Sequence, residues 1–274
     1  MTMPIDLVLV RHGQSEQNLA IHAARNGDTS LYNDDYRARH ASKHRLTPLG
    51  REQAEKAGAW LREHGYGMFD RRYVSSYVRA KETAALLDID GPNWFVDPLL
   101  REREHGDMDQ LSWDGRSDDI AQSVKNRKTD SFYWVPPNGE SIAEMTVRLR
   151  TFFDTWHREC SDKKVLVVCH GEVIWGFRFM LERMSIEHWA ELEASKAPGV
   201  KVYNCQILHY TRRNPETSEL SPYLGWMRSV NAAQPDNSIE EWQPIIRRRF
   251  TNEELLQDAR QVETLFEKPS ETEK

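Results

Sequence analysis

The sequence is poor in cysteine and contains no long apolar run. Its three cysteines, Cys160, Cys169 and Cys205, are widely spaced and form no CxxC pair, so they indicate neither a zinc site nor a disulfide framework. No apolar stretch approaches the roughly 20 residues of a membrane-spanning helix, and no basic N-terminal region precedes an apolar one. We therefore expect a cytoplasmic protein without a membrane partner.

The chain also has no excess of basic over acidic residues. The chain has 43 acidic and 37 basic residues, a formal net charge of −6, and such a surface does not attract a nucleic acid backbone. Any anion site must therefore be local. With 274 residues, of which 39% are hydrophobic, the chain is long enough for one large globular domain with appendages.

One pattern occurs twice. Residues 5–10 read IDLVLV and residues 165–169 read VLVVC, and short apolar runs of this kind are typical of strands buried on both faces. Each run leads into a His-Gly pair. The first run is followed by Arg11 and then His12, and the second is followed directly by His170. Because ligands collect beyond the carboxyl ends of parallel strands, the two histidines are expected to face one pocket.

Helices are predicted between these strands. Thr47 and Pro48 are a cap and a first-turn proline before a helix that should stop at Gly65. A short strand over residues 73–75 and a helix over residues 79–87 follow. Ser141 and Glu144 have the spacing of a capping box and predict a long amphipathic helix before the second strand. This alternation predicts an α/β fold.

Two segments between the predicted strands fit the alternation less well. Residues 19–45 are polar and irregular, and residues 106–138 carry aromatics and end in prolines, so both are interpreted as insertions over the sheet. We place the main domain at residues 1–212. Residues 213–274 are expected to form an extension packed on it, ending in a helix around residues 253–266 and a charged tail.

The residues at the predicted strand ends suit phosphate-ester chemistry. His12 can act as a nucleophile if a backbone carbonyl fixes one of its ring NH groups. Arg11, Arg79 and His170, with the Gly171 amide, can neutralise the phosphoryl oxygens without a metal. The acid that protonates the leaving alcohol is Glu102 or Glu104, and periodicity does not choose between them.

Four ordered motifs carry a resemblance, namely RHGQSEQN at residues 11–18, SSYVRAKETA at 75–84, LREREHG at 100–106 and VVCHGE at 167–172. Together they resemble the histidine phosphatase superfamily, the phosphoglycerate-mutase-like group. The resemblance covers roughly residues 5–210 and implies a three-layer α/β/α sandwich with a mostly parallel central sheet. Tyr77 departs from the family pattern, which often has proline there.

Residue roles follow from the resemblance. It implies that His12 is phosphorylated, that Arg11, Arg79 and His170 bind the phosphoryl group, and that Asn18 and Gly171 support it. The family's glutamate stands four residues before a glycine, which selects Glu102 over Glu104 because Gly106 follows at that distance. The resemblance implies no metal and no other cofactor.

The predicted function is that of a metal-independent phosphatase acting on a small phosphorylated substrate, with homodimer formation as a further possibility. A phosphoglycerate-mutase-type phosphotransferase is the alternative within the superfamily, and a catalytically silent phosphate-ester binding module is the alternative outside enzymes. The mutases that this chain resembles carry a longer insertion after the glutamate motif and an arginine soon after the second His-Gly. This chain has Glu172, Val173 and Ile174 there, which favours the phosphatase.

Overall fold

The computed structural model describes residues 2–109, 130–195 and 197–265. In these residues a seven-stranded sheet has the order β3-β2-β4-β1-β5-β6-β7. The strands are β1 Asp6–Arg11, β2 Arg71–Ser75, β3 Phe95–Asp97, β4 Lys164–Cys169, β5 Ile207–Thr211, β6 Trp226–Val230 and β7 Ile239–Pro244. The α-helices of the described residues are α1 Glu16–Arg25, α2 Asp34–Ala38, α3 Pro48–Glu63, α4 Val78–Leu86, α5 Ile142–Glu159, α6 Gly171–Glu182, α7 Ile186–Ala194 and α8 Asn252–Ala259.

The expectation of a mostly parallel sheet is only partly confirmed. Strands β3, β2, β4 and β1 pair in parallel, whereas β1–β5, β5–β6 and β6–β7 pair antiparallel. Parallel neighbours need a crossover connection, usually a helix. The connections after β5 and β6 contain no α-helix. Strands β5, β6 and β7 therefore form an antiparallel meander.

Alternate residues of the central strands face two opposite helical layers. Leu7 and Leu9 of β1 belong to one buried cluster with α5 and α6. Val8 and Val10 belong to a second buried cluster with α3 and α4. This is the predicted three-layer sandwich, and it explains why the strand is apolar at every position.

Local signals place the helices as expected. Helix α3 begins at Pro48 with Thr47 accepting a hydrogen bond from the Gly50 amide, and the chain leaves it through Gly65, whose φ is +83°. Ser141 and Glu144 form a capping box at the start of α5. These ends are set by side chains close in sequence, which is why pattern analysis finds them.

The first insertion is more regular than expected, because helices α1 and α2 lie largely within residues 19–45. Helix α1 is capped by Ser15, with Asn18 completing a capping box. In the second insertion, residues 110–129 lie outside the described residues. Phe132, which follows them, is buried against Phe179 and Trp189.

The chain after residue 212 contributes strands β6 and β7 to the sheet. Its helix α8 spans Asn252–Ala259, shorter than expected, and contains no buried residue. The charged tail from residue 266 lies outside the described residues. The division into a domain of residues 1–212 and an extension remains a prediction. Among the described residues, no helix is both long and apolar enough to cross a bilayer.

Candidate active site

Strand register brings the two His-Gly pairs together. Arg11 at the end of β1 pairs with Cys169 at the end of β4, so the residues that follow, His12 and His170, leave the sheet at the same edge. Their ring centroids are 5.1 Å apart. The two rings therefore lie together at the ends of adjacent strands, although only His12 is among the described residues that line the cavity. That both histidines serve one pocket stays a prediction.

The ring of His12 has a defined orientation. Its Nδ1 lies 2.7 Å from the carbonyl oxygen of Gly13, and because a carbonyl only accepts, Nδ1 carries the proton. The lone pair is therefore on Nε2, which accepts from Nε of Arg79 at 3.0 Å. Burial, followed by the charges of Arg79 and Arg11, holds the pKa of His12 well below its usual value. The imidazole is neutral and can act as a nucleophile.

Two arginines surround this lone pair. Arg79, in the first turn of α4, is held by a bond from Nη1 to the carbonyl of Ala41 at 2.7 Å, and its guanidinium lies over the ring of Tyr77. Arg11 donates from Nη1 to the carbonyl of Val202 at 2.8 Å. Its Nε is buried and meets no acceptor among the described residues, so it is a donor that an anion can use.

His170 and Gly171 stand at the start of helix α6. His170 caps helix α6, and its Nε2 lies 2.7 Å from the hydroxyl of Ser75. Gly171 opens that helix, where free backbone amides favour an anion. A Cβ at position 171 would lie 3.3 Å from Nε of Arg11, so glycine lets the guanidinium approach the helix terminus.

Asn18, in the first turn of α1, is linked through Asn204 to the loop that carries His12. Its Oδ1 accepts from the Ser15 amide at 3.3 Å and from Nδ2 of Asn204 at 3.0 Å. The same Asn204 nitrogen lies 3.1 Å from the carbonyl oxygen of His12. Sequence reasoning missed Asn204, which belongs to no motif and lies 192 positions from His12.

The two candidate acids differ in position. Glu102 lines the same cavity as His12, whereas Glu104 is not among the described residues that line it. Glu104 instead accepts from the hydroxyl of Tyr77 at 3.2 Å and lies 3.5 Å from Nε of Arg101. Burial, and then the charge of Glu172, raise the pKa of Glu102 above its usual value. A carboxyl with a raised pKa keeps its proton for longer as the pH rises.

The charge of Glu172 acts on Glu102, and the sequence analysis did not predict the contacts that Glu172 makes with Arg103 and His105. Oε2 of Glu172 is 3.1 Å from Nε of Arg103 and 3.0 Å from Nε2 of His105. Burial disfavours the imidazolium of His105, but the Glu172 carboxylate outweighs it, and the pKa of His105 is raised. The Glu172 carboxylate is thus fixed next to the candidate acid. The alternating charges of residues 101–105 gave no sign of this partner, which lies about 70 residues away along the chain.

His12, Asn18, Arg79 and Glu102 line a cavity of about 190 Å³, smaller than the ~300 Å³ or more typical of drug-sized ligands. Arg11, His170 and Gly171 are not among the described residues that line it. Gln17 and Asp109 form another part of its lining, where Gln17 donates to Asp109 at 3.2 Å. Helix α1 and the segment after it supply further walls. The described residues that line the cavity are His12, Gln17, Asn18, Ile21, Ala24, Arg25, Tyr32, Ala41, Tyr77, Arg79, Glu102, Arg103, His105, Met108 and Asp109. Among the described residues, no three His, Cys, Asp or Glu side chains group closely enough to hold a metal.

This chain is similar in sequence to phosphoglycerate mutases. It is 33% identical over 200 residues to the 2,3-bisphosphoglycerate-dependent phosphoglycerate mutase of Sinorhizobium fredii, covering 71% of this chain and 86% of the relative. The mutase of the same name from Methylorubrum populi is 30% identical over 193 residues, with 68% and 84% covered.

Two solved structures share the fold. The α-ribazole phosphatase of Shigella flexneri matches with a TM-score of 0.58 at 22% identity, covering 80% of this chain and 98% of that one. A mycobacterial glucosyl-3-phosphoglycerate phosphatase matches with a TM-score of 0.56 at 23% identity, covering 75% and 92%. The sequence model of the histidine phosphatase superfamily (branch 1) matches residues 7–218. The chain therefore belongs to the histidine phosphatase superfamily.

Proposed function

We propose that this protein is a phosphatase that hydrolyses a small phosphate monoester, without a metal, through a phosphohistidine on His12. The observation that carries the proposal is the hydrogen bond from Nδ1 of His12 to the carbonyl of Gly13 at 2.7 Å. It fixes a neutral tautomer with the lone pair on Nε2, next to buried guanidinium groups.

In the first step, the phosphoryl group lies between Arg11, Arg79, His170 and the Gly171 amide. These donors offset the charge on the three non-bridging oxygens. Binding draws the Arg79 guanidinium onto those oxygens and releases the lone pair of His12. Nε2 then attacks phosphorus, and the bond from phosphorus to the ester oxygen breaks.

Glu102 completes the reaction. It gives its proton to the departing ester oxygen, so the leaving group departs as a neutral alcohol. The resulting carboxylate takes a proton from a water molecule, which attacks the phosphohistidine and breaks the P–N bond. Phosphate is released, His12 returns to its neutral state and Glu102 is again protonated.

The alternative is a mutase, which returns the phosphoryl group to a sugar acid. The names of the sequence relatives favour it. A mutase needs cations that hold the substrate carboxylate while the intermediate reorients. In this chain the second residue after His170 is Glu172, and its carboxylate lies against Arg103 and His105. Because a carboxylate there repels an anionic leaving group and occupies two nearby cations, we favour hydrolysis.

The test measures inorganic phosphate release in EDTA across a panel of phosphate monoesters, with phosphoryl transfer between phosphoglycerates measured in parallel. Wild-type protein should release phosphate in chelator, and His12→Ala should not. The matched control is His188→Ala, whose side chain is 56% exposed and lies outside the cavity. It should keep wild-type activity.

Each other outcome has a definite meaning. Phosphate release that survives in His12→Ala contradicts the phosphohistidine mechanism. Transfer between phosphoglycerates that greatly exceeds release identifies a mutase. A folded wild-type protein that binds phosphate esters but neither releases nor transfers phosphate is the binding module.

A further inference from the structure

The chain is anchored to the domain just after strand β7. The amide of Ile245 donates to the carbonyl of Gly225 at 2.8 Å. Arg247 donates from Nε to the carbonyl of Leu181 at 3.1 Å and from Nη2 to that of Leu224 at 2.6 Å. The position at which the following segment leaves the body is therefore well defined.

Residues 246–265 form a segment that we call the C-terminal arm. From residue 248 to residue 265 every described side chain is exposed. Helix α8 lies within the arm and has a capping box formed by Thr251 and Glu254. A helix of this length is marginal in water even with a good cap, so its stability calls for a packing partner.

The arm carries an apolar stripe suited to such packing. Leu255 and Ala259 stand at positions i and i+4 of α8 and Leu256 lies beside them, whereas Val262 follows three residues after the end of the helix. Leu255 and Leu256 are 54% and 56% exposed, and Val262 is 75% exposed. Ile246 and Phe250, at the start of the arm, are 84% and 44% exposed. Contiguous exposed apolar side chains of this kind mark interaction sites.

The charges of the arm are divided between its two ends. Arg248 and Arg249 stand at its start, between Ile246 and Phe250. Residues 253–263 hold four acidic residues and one basic residue, Arg260, and Glu253 and Asp258 border the apolar side chains of α8. No ion pair joins these two groups among the described residues of the chain. The start of the arm thus offers apolar side chains with positive charge, and the region of α8 offers apolar side chains with a net negative charge. A surface that complements itself in this way fits a two-fold axis.

We propose that the C-terminal arm binds a second copy of this chain. Helix α8 of each protomer packs its stripe on Ile246 and Phe250 of the other, and Arg248 and Arg249 face the acidic residues that border the stripe. The contact occurs twice about the axis. It is independent of the reaction at His12, because no residue of the arm lines the cavity.

The first test is the mass of the full chain in solution, by light scattering after size exclusion across the micromolar range. The wild type should be a dimer, and Leu255→Glu with Leu256→Glu should be a monomer. The matched control is Val147→Glu on α5, 71% exposed, which should stay dimeric. A monomeric wild type, or a dimer unaffected by the paired substitution, overturns the proposal.

Charge reversal provides a second test, which leaves the apolar side chains of α8 in place. Arg248→Glu with Arg249→Glu, and separately Glu253→Arg with Asp258→Arg, should each raise the dimer dissociation constant at least tenfold. The combination of all four should restore dimerisation, because the pairing is re-formed with opposite sign. Glu254 is left unchanged because it caps α8. If the combined variant dimerises more weakly than either double variant, the proposed arrangement is overturned. Phosphate release should be the same in all of these variants.

Discussion

Nε of Arg79 donates to Nε2 of His12 across 3.0 Å, although the two residues are 67 positions apart in the chain. The bond exists only when Nε2 is unprotonated. The guanidinium therefore selects the imidazole form that a phosphohistidine mechanism needs. In the proposed mechanism, a phosphate competes for the Arg79 donor and by doing so frees the nucleophile.

The Arg79→Lys substitution tests this relationship. An ammonium keeps the charge but cannot present two parallel NH donors. We expect kcat to fall by about 10²–10³-fold, the usual cost of losing an oxyanion donor. The measurement is steady-state phosphate release, with Arg51→Lys on the exposed side of α3 as the control. A loss confined to KM would contradict a role for Arg79 in the reacting complex.

Glu102→Gln and Glu104→Gln separate the two candidate acids. Removing Glu102 should lower kcat by about 10²–10⁴-fold for an alkyl phosphate, since a general acid contributes that much. The loss should be much smaller for an aryl phosphate whose leaving group needs no proton. Glu104→Gln should change kcat little, because its carboxylate bonds to Tyr77. A larger loss in Glu104→Gln would reverse the assignment.

Glu172→Gln should shift the pH profile. The Glu172 carboxylate is, after burial, the main cause of the raised pKa of Glu102. An acid must be protonated to act, so activity is lost as the pH rises through its pKa. Removing the carboxylate lowers that pKa, and the alkaline limb of kcat should move to lower pH.

The control for this shift is Glu187→Gln at the exposed start of α7, which should leave the profile unchanged. The loss of Glu172 also weakens the charge on His105, which acts in the opposite sense on Glu102 but is the smaller influence. An alkaline limb that stays in place, or moves to higher pH, would contradict tuning by Glu172.

Stability should fall in mild acid because of the buried histidines. Burial and then Arg79 hold the pKa of both His12 and His170 well below 6.5. The unfolded chain, with ordinary imidazoles, then binds more protons, so the free energy of unfolding decreases as the pH falls below about 6.5. Each histidine contributes a slope of up to about 1.4 kcal/mol per pH unit.

Urea unfolding at about pH 7.5 and about pH 5.5 measures this slope. His12→Asn and His170→Asn should each make stability less dependent on pH, whereas the exposed His188→Asn should not. An unchanged slope in both buried variants would mean that neither imidazole titrates differently in the folded and unfolded states.

Local patterns identified most of the elements around the site. The apolar runs of β1 and β4 predicted strands buried on both faces, and Thr47 and Ser141 marked helix starts where the structure has them. These signals lie in residues close together in sequence. A strand buried on both faces is apolar at successive positions, and a cap residue binds an amide two or three residues ahead. The helices of the first insertion are not predicted by the sequence, since Ser15, the cap of α1, lies inside the RHGQSEQN motif, whose residues indicate chemistry.

The sequence by itself determined which residue types stand at each strand end, and hence that His12, Arg11, Arg79 and His170 were candidates. Only the tertiary structure decided that Arg11 pairs with Cys169 across adjacent strands, that Asn204 bonds to the loop of His12 and that Glu172 lies against Arg103 and His105. These contacts join residues far apart in the chain, and so does the antiparallel pairing of β1 with β5. Periodicity reports the environment of a residue, whereas long-range pairing depends on how all the elements pack together.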